Sequence, residues 1–291
     1  MVIVCLAWKK LVRGILVTVS ILMVLLLLVH VALPAMSLAF AGNKGVCVPI
    51  LMYHSILKDP KRTGKYVVSP TTFREDMLYL KENGYTAVFI SELIDYVYNG
   101  TPLPEKPVVI TLDDGYLNNL TYVLPILEET DMKATISVIG AYSQRFSETL
   151  DPNPNYAHLT WKDIKTLYAS GRVEIGNHSY DLHNGYDQLG VLQHRGESKE
   201  NYCRRIAEDI GKLQTTLEAE TGIVPQVFTY PFGQVCEDVL PVLRTLGFRA
   251  ALTCFEKLNY ITTDPECLFH LNRFNRPGNV STKTFMQKIA E

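Results

Sequence analysis

The sequence lacks the features that would direct it to nucleic acid, to a nucleotide or to a disulfide scaffold. Its 28 basic and 30 acidic residues leave a net charge of −2, so no global positive field attracts a polyanion. Six cysteines in 291 residues form no CxxC pair, which argues against a disulfide framework. No glycine-rich phosphate loop follows a predicted strand. We therefore expect neither a nucleic acid nor a nucleotide as partner.

Acidic residues are also missing from the first 43 positions, which contain Lys9, Lys10 and Arg13. The uncharged run 14–33 that follows is close to the roughly 20 residues that a helix needs to cross a bilayer. The flanking bases predict a cytoplasmic N-terminus. We interpret residues 1–41 as a basic stub with a transmembrane anchor, or as a signal peptide cleaved at the A-x-A sequence 39–41. A buried core helix is a third interpretation.

Both leading interpretations place the rest of the chain on the outer face of the cytoplasmic membrane or in the medium. The whole chain is 47% hydrophobic, and no long linker interrupts residues 46–291. We therefore expect these residues to form one globular domain. The whole chain contains 20% charged and 47% hydrophobic residues, a balance that excludes a disordered chain.

Short apolar runs alternate with amphipathic stretches throughout residues 46–291, a pattern typical of an α/β fold with a parallel sheet. Seven or eight β/α units in roughly 245 residues match a distorted (β/α) barrel, with a doubly wound open sheet as the alternative. The principal predicted strands are 46–52, 85–90, 107–112, 133–139, 172–176 and 268–274. The principal predicted helices are 70–81, 92–98 with Ser91 as its cap, 161–169 and 198–220.

Two adjacent acids, Asp113 and Asp114, come directly after the predicted strand 107–112. Active sites of β/α barrels lie at this end of the strands. Because neighbouring residues on an extended chain point in different directions, one carboxylate can bind a metal while the other faces a substrate. The alternative is a plain strand-to-helix turn, in which Asp114 caps the next helix and Gly115 supplies the bend.

Two histidines, His178 and His183, lie five positions apart after the predicted strand 172–176. A turn of this spacing brings both imidazoles onto one ion, and histidine with carboxylate is a normal ligand set for a catalytic zinc-type site. The same ligands also accept Co, Ni or Fe(II). Asp181, between them, is a candidate to orient one imidazole. Two solvated histidines on a surface loop are the alternative.

Two further clusters follow predicted strands. Tyr230, Pro231 and Phe232 precede a glycine in a tight turn, where aromatic rings can line a sugar pocket or pack at the edge of the core. His54 lies at the end of the first predicted strand, a position that by itself indicates no function.

Taken together, these residues resemble the polysaccharide deacetylases of the NodB-homology type, carbohydrate esterase family 4. The segment Thr111–Gly115 resembles the family's T-F-D-D-G motif, which implies that Asp113 is the general base and Asp114 a metal ligand. The segment from His178 to His183 is similar to the metal-binding H-S motif in the branch that includes deacetylases of poly-β-1,6-N-acetylglucosamine. The opening Leu51–His54 and the turn at Tyr230 are similar to the same branch.

The sequence departs from the family pattern at Thr229 and at residues 250–253, where the family's D-x-x-W-like fourth motif is absent. Thr229 replaces an arginine that orients the catalytic aspartate, and we suggest that Arg273 takes its place. The family's last motif, L-x-H with the general acid, is matched by Leu268–His270, which implies His270 as the acid. His54 is the alternative acid.

The resemblance implies a metal-dependent hydrolase that removes N-acetyl groups from an N-acetylglucosamine polysaccharide of the cell wall or the extracellular space and releases acetate. Tyr230, Pro231, Phe232, His54 and Arg273 are then the residues around the substrate. Three alternatives differ in activity: a non-haem iron oxygenase, which uses a similar ligand set, a catalytically inactive glycan-binding module on the same fold, and an O-acetyl carbohydrate esterase.

Overall fold

The computed structural model describes residues 22–23, 45–149, 151–184 and 188–290. The chain divides into two units, residues 1–45 and 46–291. Of the predicted anchor or signal segment only Leu22 and Met23 are described, and both are helical and exposed. The rest of that segment, with the A-x-A sequence, lies outside the described residues. Among those described, no helix combines the length and apolar character that a membrane span requires.

The strands of residues 46–291 are short and rich in valine, isoleucine and leucine, the residue types that favour buried strands. In chain order they are β1 (Val46–Val48), β2 (Ile50–Tyr53), β3 (Ser55–Ile56), β4 (Val67–Val68), β5 (Thr86–Ala87), β6 (Pro107–Leu112), β7 (Ala134–Val138), β8 (Val173–Asn177), β9 (Val227–Thr229), β10 (Ala250–Leu252), β11 (Asn259–Ile261) and β12 (Phe274–Asn275).

The main sheet is parallel and runs in the order β10-β9-β8-β7-β6-β2-β12, with β5 paired to β6. A parallel bridge joins Leu252 at the β10 edge to Leu271, and β12 pairs with β2 three residues later. The segment 271–275 therefore contacts both edges of the sheet, which brings the ends of a distorted barrel together. Because β2 and β6 to β10 follow one another without a reversal, the doubly wound alternative is wrong.

Helices cover the outside of this sheet. They are α1 (Pro70–Glu82), α2 (Ile90–Asn99), α3 (Leu124–Thr130), α4 (Gly140–Thr149), α5 (Trp161–Ala169), α6 (Lys199–Thr221), α7 (Leu240–Thr245) and α8 (Thr282–Met286). Serine or threonine side chains cap the N-termini of four of them, α1, α5, α6 and α8, as accepting Ncap residues do.

Side chains of the main strands alternate between two environments. Leu51 and Ile110 pack outward against the helices in the largest apolar cluster, whereas their neighbours Ile50 and Val109 belong to a second cluster. Nearer the carboxyl ends the second face becomes polar, and Ser137 Oγ lies 2.7 Å from Thr229 Oγ1. The period of two of the strands thus places a polar interior beside the functional site.

The α/β class and the parallel sheet are confirmed, and strand β6 and helix α5 lie where the sequence predicts them. The prediction that Ser91 caps a helix is wrong. That helix begins at Ile90, and the Glu174 carboxylate of β8 accepts the backbone N–H groups of both Ile90 and Ser91. Helix α4 was not expected from the sequence. The predicted strand 268–274 is interrupted, since Pro265–Leu268 forms a 3-10 turn.

Candidate metal and active site

The Asp-Asp-Gly turn follows the fully buried strand β6. Asp114 has a φ of 70° and Gly115 a φ of 66°, so two consecutive residues adopt the left-handed conformation. A Cβ at position 115 would lie 2.9 Å from Val138 Cγ1, which explains the glycine. For a carboxylate-bearing residue such a φ is uncommon and concentrates at functional sites. The turn sends the two carboxylates in different directions.

The Asp113 carboxylate is paired to a buried arginine. Arg273 Nη1 and Nη2 donate to its two oxygens at 2.7 and 2.8 Å, and Arg273 is 0% exposed. Arg273 also donates from Nε to the Thr253 carbonyl and from Nη1 to Thr111 Oγ1. Burial raises the pKa of Asp113, but the positive charge of Arg273 outweighs it and holds this pKa well below the usual range. Asp113 is therefore ionised.

Arg273 is fully buried and does not line the cavity beside Asp113, although the sequence predicted it among the residues around a substrate. Its contacts are those of a residue that fixes the orientation of Asp113. The Thr229 hydroxyl, at the position of the missing arginine, is instead bonded to Ser137.

Asp114, His178 and His183 converge. Their ligand atoms all lie within 4.8 Å of one another, and Asp114 Oδ1 is 3.6 Å from His178 Nε2 and 3.8 Å from His183 Nε2. These separations are too long for hydrogen bonds. They are close to the roughly 3.3–3.6 Å between ligands of a tetrahedral ion with bonds of about 2.1 Å.

The charge state of this group also suits a cation. Asp114 Oδ1 is buried and has no hydrogen-bond partner among the described residues, which is costly for a carboxylate without an ion. Burial lowers the pKa of His178 to about 3 and lowers the pKa of His183 as well, so both imidazoles are neutral and keep a lone pair. Burial raises the pKa of Asp114, an effect that a bound cation would oppose. The three residues therefore fit a divalent metal ion.

A backbone carbonyl orients the first imidazole. His178 Nδ1 lies 2.8 Å from the Thr229 carbonyl, so Nδ1 carries the proton and Nε2 faces Asp114. The prediction that Asp181 orients an imidazole is wrong: Asp181 is exposed, and its carboxylate forms no hydrogen bond or ion pair with either histidine among the described residues. Asp209 of α6 acts on the loop instead: its carboxylate accepts the backbone N–H groups of Tyr180 and Asp181 at 2.8 and 2.9 Å.

The turn after β9 lies against the second imidazole. The Phe232 ring stacks on His183 with centroids 4.1 Å apart, and Phe232 has a φ of 58°. Tyr230 is buried, and its hydroxyl has no partner among the described residues. The Tyr230 amide donates to the Leu252 carbonyl and is therefore not free for a substrate. Pro231 is buried below the turn and does not line the cavity.

The two candidate acids are placed very differently. His54 Nε2 is 3.9 Å from Asp113 Oδ2, and the His54 ring packs on Tyr66 at the cavity. His270 is exposed, and it is not among the residues that line this cavity, because its buried neighbours Phe269 and Leu271 turn it outward. The structure brings His54 to the site and leaves His270 outside it.

A cavity of about 870 Å³ opens above these groups, within the range of small-molecule sites. Some of its lining was not anticipated from the sequence, notably Arg62, Lys65, Tyr66, Tyr116, Tyr156 and His158. Tyr116 directly follows the Asp-Asp-Gly turn, so its position was a usable signal. The others come from loops, and no spacing relates them to the motifs.

The fold and the site together define an α/β protein with three residues that could hold a metal ion and an ionised aspartate at the carboxyl ends of parallel strands. A family profile described as polysaccharide deacetylase matches residues 100–251, just over half of the chain. The chain therefore belongs to the polysaccharide deacetylase family, and the resemblance seen in its motifs is confirmed.

Individual relatives agree with this assignment. A poly-beta-1,6-N-acetyl-D-glucosamine N-deacetylase of Escherichia coli K12 is 28% identical over 243 residues, 76% of this chain and 35% of that protein. One from Staphylococcus aureus is 26% identical over 68% of this chain and 64% of that protein. The solved structure of IcaB from Ammonifex degensii has a TM-score of 0.68 at 25% identity and covers 85% of this chain and 99% of that one. The match to the E. coli protein thus spans about a third of that relative's length.

Proposed function

We propose that this protein is a metal-dependent hydrolase that removes N-acetyl groups from an N-acetylglucosamine polysaccharide and releases acetate. The observation that carries the proposal is the convergence of Asp114, His178 and His183 beside an ionised Asp113. Relatives named as poly-N-acetylglucosamine deacetylases support the substrate class.

Asp114, His178 and His183 would hold the metal, and we propose zinc because it favours histidine and carboxylate in a site with open positions. A divalent ion supplies Lewis-acid polarisation of the acetamide carbonyl and lowers the pKa of a water molecule toward about 7. The protein itself then has to take the proton from that water and to give one to the leaving amine.

Asp113 is the proposed general base. Its pairing with Arg273 keeps it ionised, and an acidified water needs only a weak base. The same pairing fixes both oxygens, so the side chain cannot rotate away from the cavity. An ionised carboxylate beside three metal-ligand residues has no use in a protein that only binds sugar, which favours the enzyme over the inactive module.

His54 is the proposed general acid in place of His270. Histidine is suited to proton transfer near neutral pH, and His54 borders the cavity close to Asp113. Tyr230 is a proposed substrate contact because it borders the cavity, and burial raises the pKa of its hydroxyl, which therefore keeps its proton. The amine becomes a good leaving group only once it is protonated.

We further propose that residues 1–41 direct export, as an uncleaved anchor or as a cleaved signal. The basis is the run 14–33 behind three basic residues. Fractionation of cells, with the N-terminal sequence of the recovered protein, separates the two forms. Recovery of the intact chain in the soluble cytoplasm would contradict both.

The decisive experiment measures acetate released by the purified, metal-reloaded protein from N-acetylated and O-acetylated sugar oligomers. We expect release from N-acetylglucosamine oligomers, and we expect Asp113→Asn to lower kcat by about 10²–10⁴ while its metal content stays the same. Asp131→Asn, which changes an exposed carboxylate paired with Arg172, is the matched control.

Three outcomes would overturn the proposal. Acetate release from O-acetylated substrates alone would identify an O-acetyl esterase. Failure on every substrate despite bound metal would favour the glycan-binding module. Full activity of Asp113→Asn would remove Asp113 from the mechanism.

A further inference from the structure

The loop between β3 and β4 concentrates positive charge on a chain that is otherwise acidic. The whole chain has a net charge of −2 and its first 43 residues one of +3, so the residues after them carry −5. Residues 58–65, which we call the basic loop, contain a single acid and four bases: Lys58, Lys61, Arg62 and Lys65. The acid, Asp59, is used within the loop, where its carboxylate accepts the backbone N–H of Lys61 at 3.0 Å.

Backbone hydrogen bonds hold the basic loop against the rest of the domain. The flanking strands β3 and β4 pair with each other, and Leu57 donates to the Val68 carbonyl at 3.0 Å. From the C-terminal segment, Gly278 donates to the Gly64 carbonyl at 2.8 Å. The backbone that carries the four bases is therefore fixed relative to the sheet.

Two of the four bases, Arg62 and Lys65, line the cavity that contains Asp113. Arg62 Nη1 donates to the Asn155 carbonyl at 2.8 Å, which holds the guanidinium at the cavity with further N–H groups to offer. Lys65 Nζ lies 4.8 Å from the centroid of the Tyr66 ring. Within the described ranges, neither base has a carboxylate at ion-pair distance.

The acids that line the same cavity are already balanced. Asp113 is paired with Arg273. The carboxylate of Glu256 lies 3.0 Å from Lys288 Nζ. Asp114 belongs to the proposed metal site, where a divalent ion would outweigh its single charge. The two bases of the loop therefore give the cavity an excess of positive charge, which attracts an anionic group.

We propose that the basic loop selects substrates with a negative charge beside the reacting sugar, so that the preferred polymer is an N-acetylglucosamine chain with phosphate or carboxylate substituents. This inference rests on the proposed function and narrows its substrate class. A guanidinium matches the oxygens of either anion with two N–H groups, and an ammonium adds a point charge. Phosphate and carboxylate share this chemistry, and the test separates them.

The test measures kcat/KM for acetate release by the full, metal-loaded chain from three trimers of N-acetylglucosamine. One is neutral, one has a phosphate ester on a terminal 6-hydroxyl, and in one the same carbon is a carboxylate. We expect the better charged trimer to exceed the neutral one about tenfold, the size expected for two charge-assisted contacts at an exposed site. The advantage should shrink between about 0.1 and about 1 M salt, because the screening length falls from about 10 to about 3 Å.

Arg62→Gln with Lys65→Gln removes both charges and should bring the ratio of charged to neutral kcat/KM from about 10 to about 1. Lys162→Gln with Lys165→Gln is the matched control, because it removes two exposed charges at the same spacing from α5, and neither lysine lines this cavity. We expect the control to keep the wild-type ratio.

Two outcomes would overturn the inference while acetate release keeps the deacetylase in place. The first is a ratio near 1 in the wild-type protein. The second is a ratio that stays high in Arg62→Gln with Lys65→Gln, as it would if the anion bound at the metal site instead.

A second measurement covers the case in which no acetate is released. Calorimetric binding of the three trimers to the Asp113→Asn protein needs no turnover. Tighter binding of a charged trimer, lost when Arg62→Gln and Lys65→Gln are added, would support the selection even if the proposed activity failed. Equal binding of all three trimers, or an advantage that survives both changes, would overturn it.

Discussion

Arg273 and Asp113 are 160 positions apart in the chain, yet they form a two-pronged ion pair inside the sheet. The planar guanidinium matches both carboxylate oxygens at once, whereas an ammonium group presents a single point charge. The threonine at position 229 was a sequence signal that a cation had to come from elsewhere. Only the folded structure shows that this cation is Arg273, which also donates to the Thr253 carbonyl and to the Thr111 hydroxyl.

We predict that Arg273→Lys lowers kcat at least about tenfold, because a lysine cannot hold both Asp113 oxygens. KM should change little, since Arg273 does not line the cavity. Steady-state kinetics on an N-acetylglucosamine oligomer check this split. Unchanged kcat, in a variant with normal metal content, would show that the pair does not orient the base.

The burial of His158 leads to a separate prediction about how the free energy of unfolding changes at acidic pH. Burial, with a smaller contribution from the charge of Arg145, lowers the pKa of His158 to about 4, whereas an exposed histidine titrates near 6.5. Because the folded pKa is the lower one, the unfolded chain binds the proton more readily. The contribution of neutral His158 to the free energy of unfolding is therefore complete above about pH 6.5 and is lost as the pH falls toward 4.

We expect His158→Phe to reduce the loss of unfolding free energy between pH 6.5 and 4 by roughly 3 kcal/mol. Urea unfolding at a series of pH values measures it. The control is Leu78→Phe, which puts the same ring at an exposed position without an ionisable group, and it should leave the pH dependence as it is in the wild type. Equal slopes in His158→Phe and the wild type would contradict a neutral, buried imidazole.

At the scale of elements, the loop 178–183 depends on a helix that is distant in sequence. Asp209 lies on α6 and accepts two consecutive backbone N–H groups of this loop, between the two histidines. Gly140 and Ala141, at the start of α4, donate to the carbonyls of Ser179 and Tyr180. The loop is thus held from two sides before any ion binds.

We predict that Asp209→Asn weakens zinc binding about tenfold, because an amide has one acceptor oxygen for two donors and residues supporting metal ligands affect affinity by this order. Competition with a chromophoric chelator measures the affinity. Glu208→Gln is the control, as Glu208 is the exposed neighbour on the same helix. If both variants bind zinc as the wild type does, the loop is held without Asp209.

At the scale of the whole molecule, a second buried ion pair fastens the C-terminal segment to the first helix. Arg276 bonds the Asp76 carboxylate through Nε and Nη2, and both side chains are fully buried. Tyr53 and Thr282 donate to the same carboxylate, so β2, α1 and α8 meet at one group. Removal of one partner leaves the other charge buried and unpaired.

We predict that Asp76→Asn lowers the free energy of unfolding by about 3–5 kcal/mol, as measured by urea denaturation. Replacement of both partners, Asp76→Leu with Arg276→Met, should cost less than the single change. Glu129→Gln, which breaks the exposed pair with Arg74 near the same helix, should cost under about 1 kcal/mol. If the free-energy cost of the double change equals the sum of the costs of Asp76→Leu and Arg276→Met measured singly, the two residues are not coupled.

The sequence by itself determined the α/β class, the family and the motif residues. Alternating apolar patterns indicate which strand residues are buried. The functional residues lie in short segments whose chemistry can be inferred without knowing the fold: Asp113, Asp114, His178 and His183. Only the tertiary structure decided which groups from separate segments meet. In the folded protein His54, and not His270, borders the cavity, and Arg273 pairs with Asp113. The Thr229 carbonyl and the Asp209 carboxylate hold the loop that contains the two histidines. These contacts depend on the register and curvature of the sheet, which are global properties that no local pattern encodes.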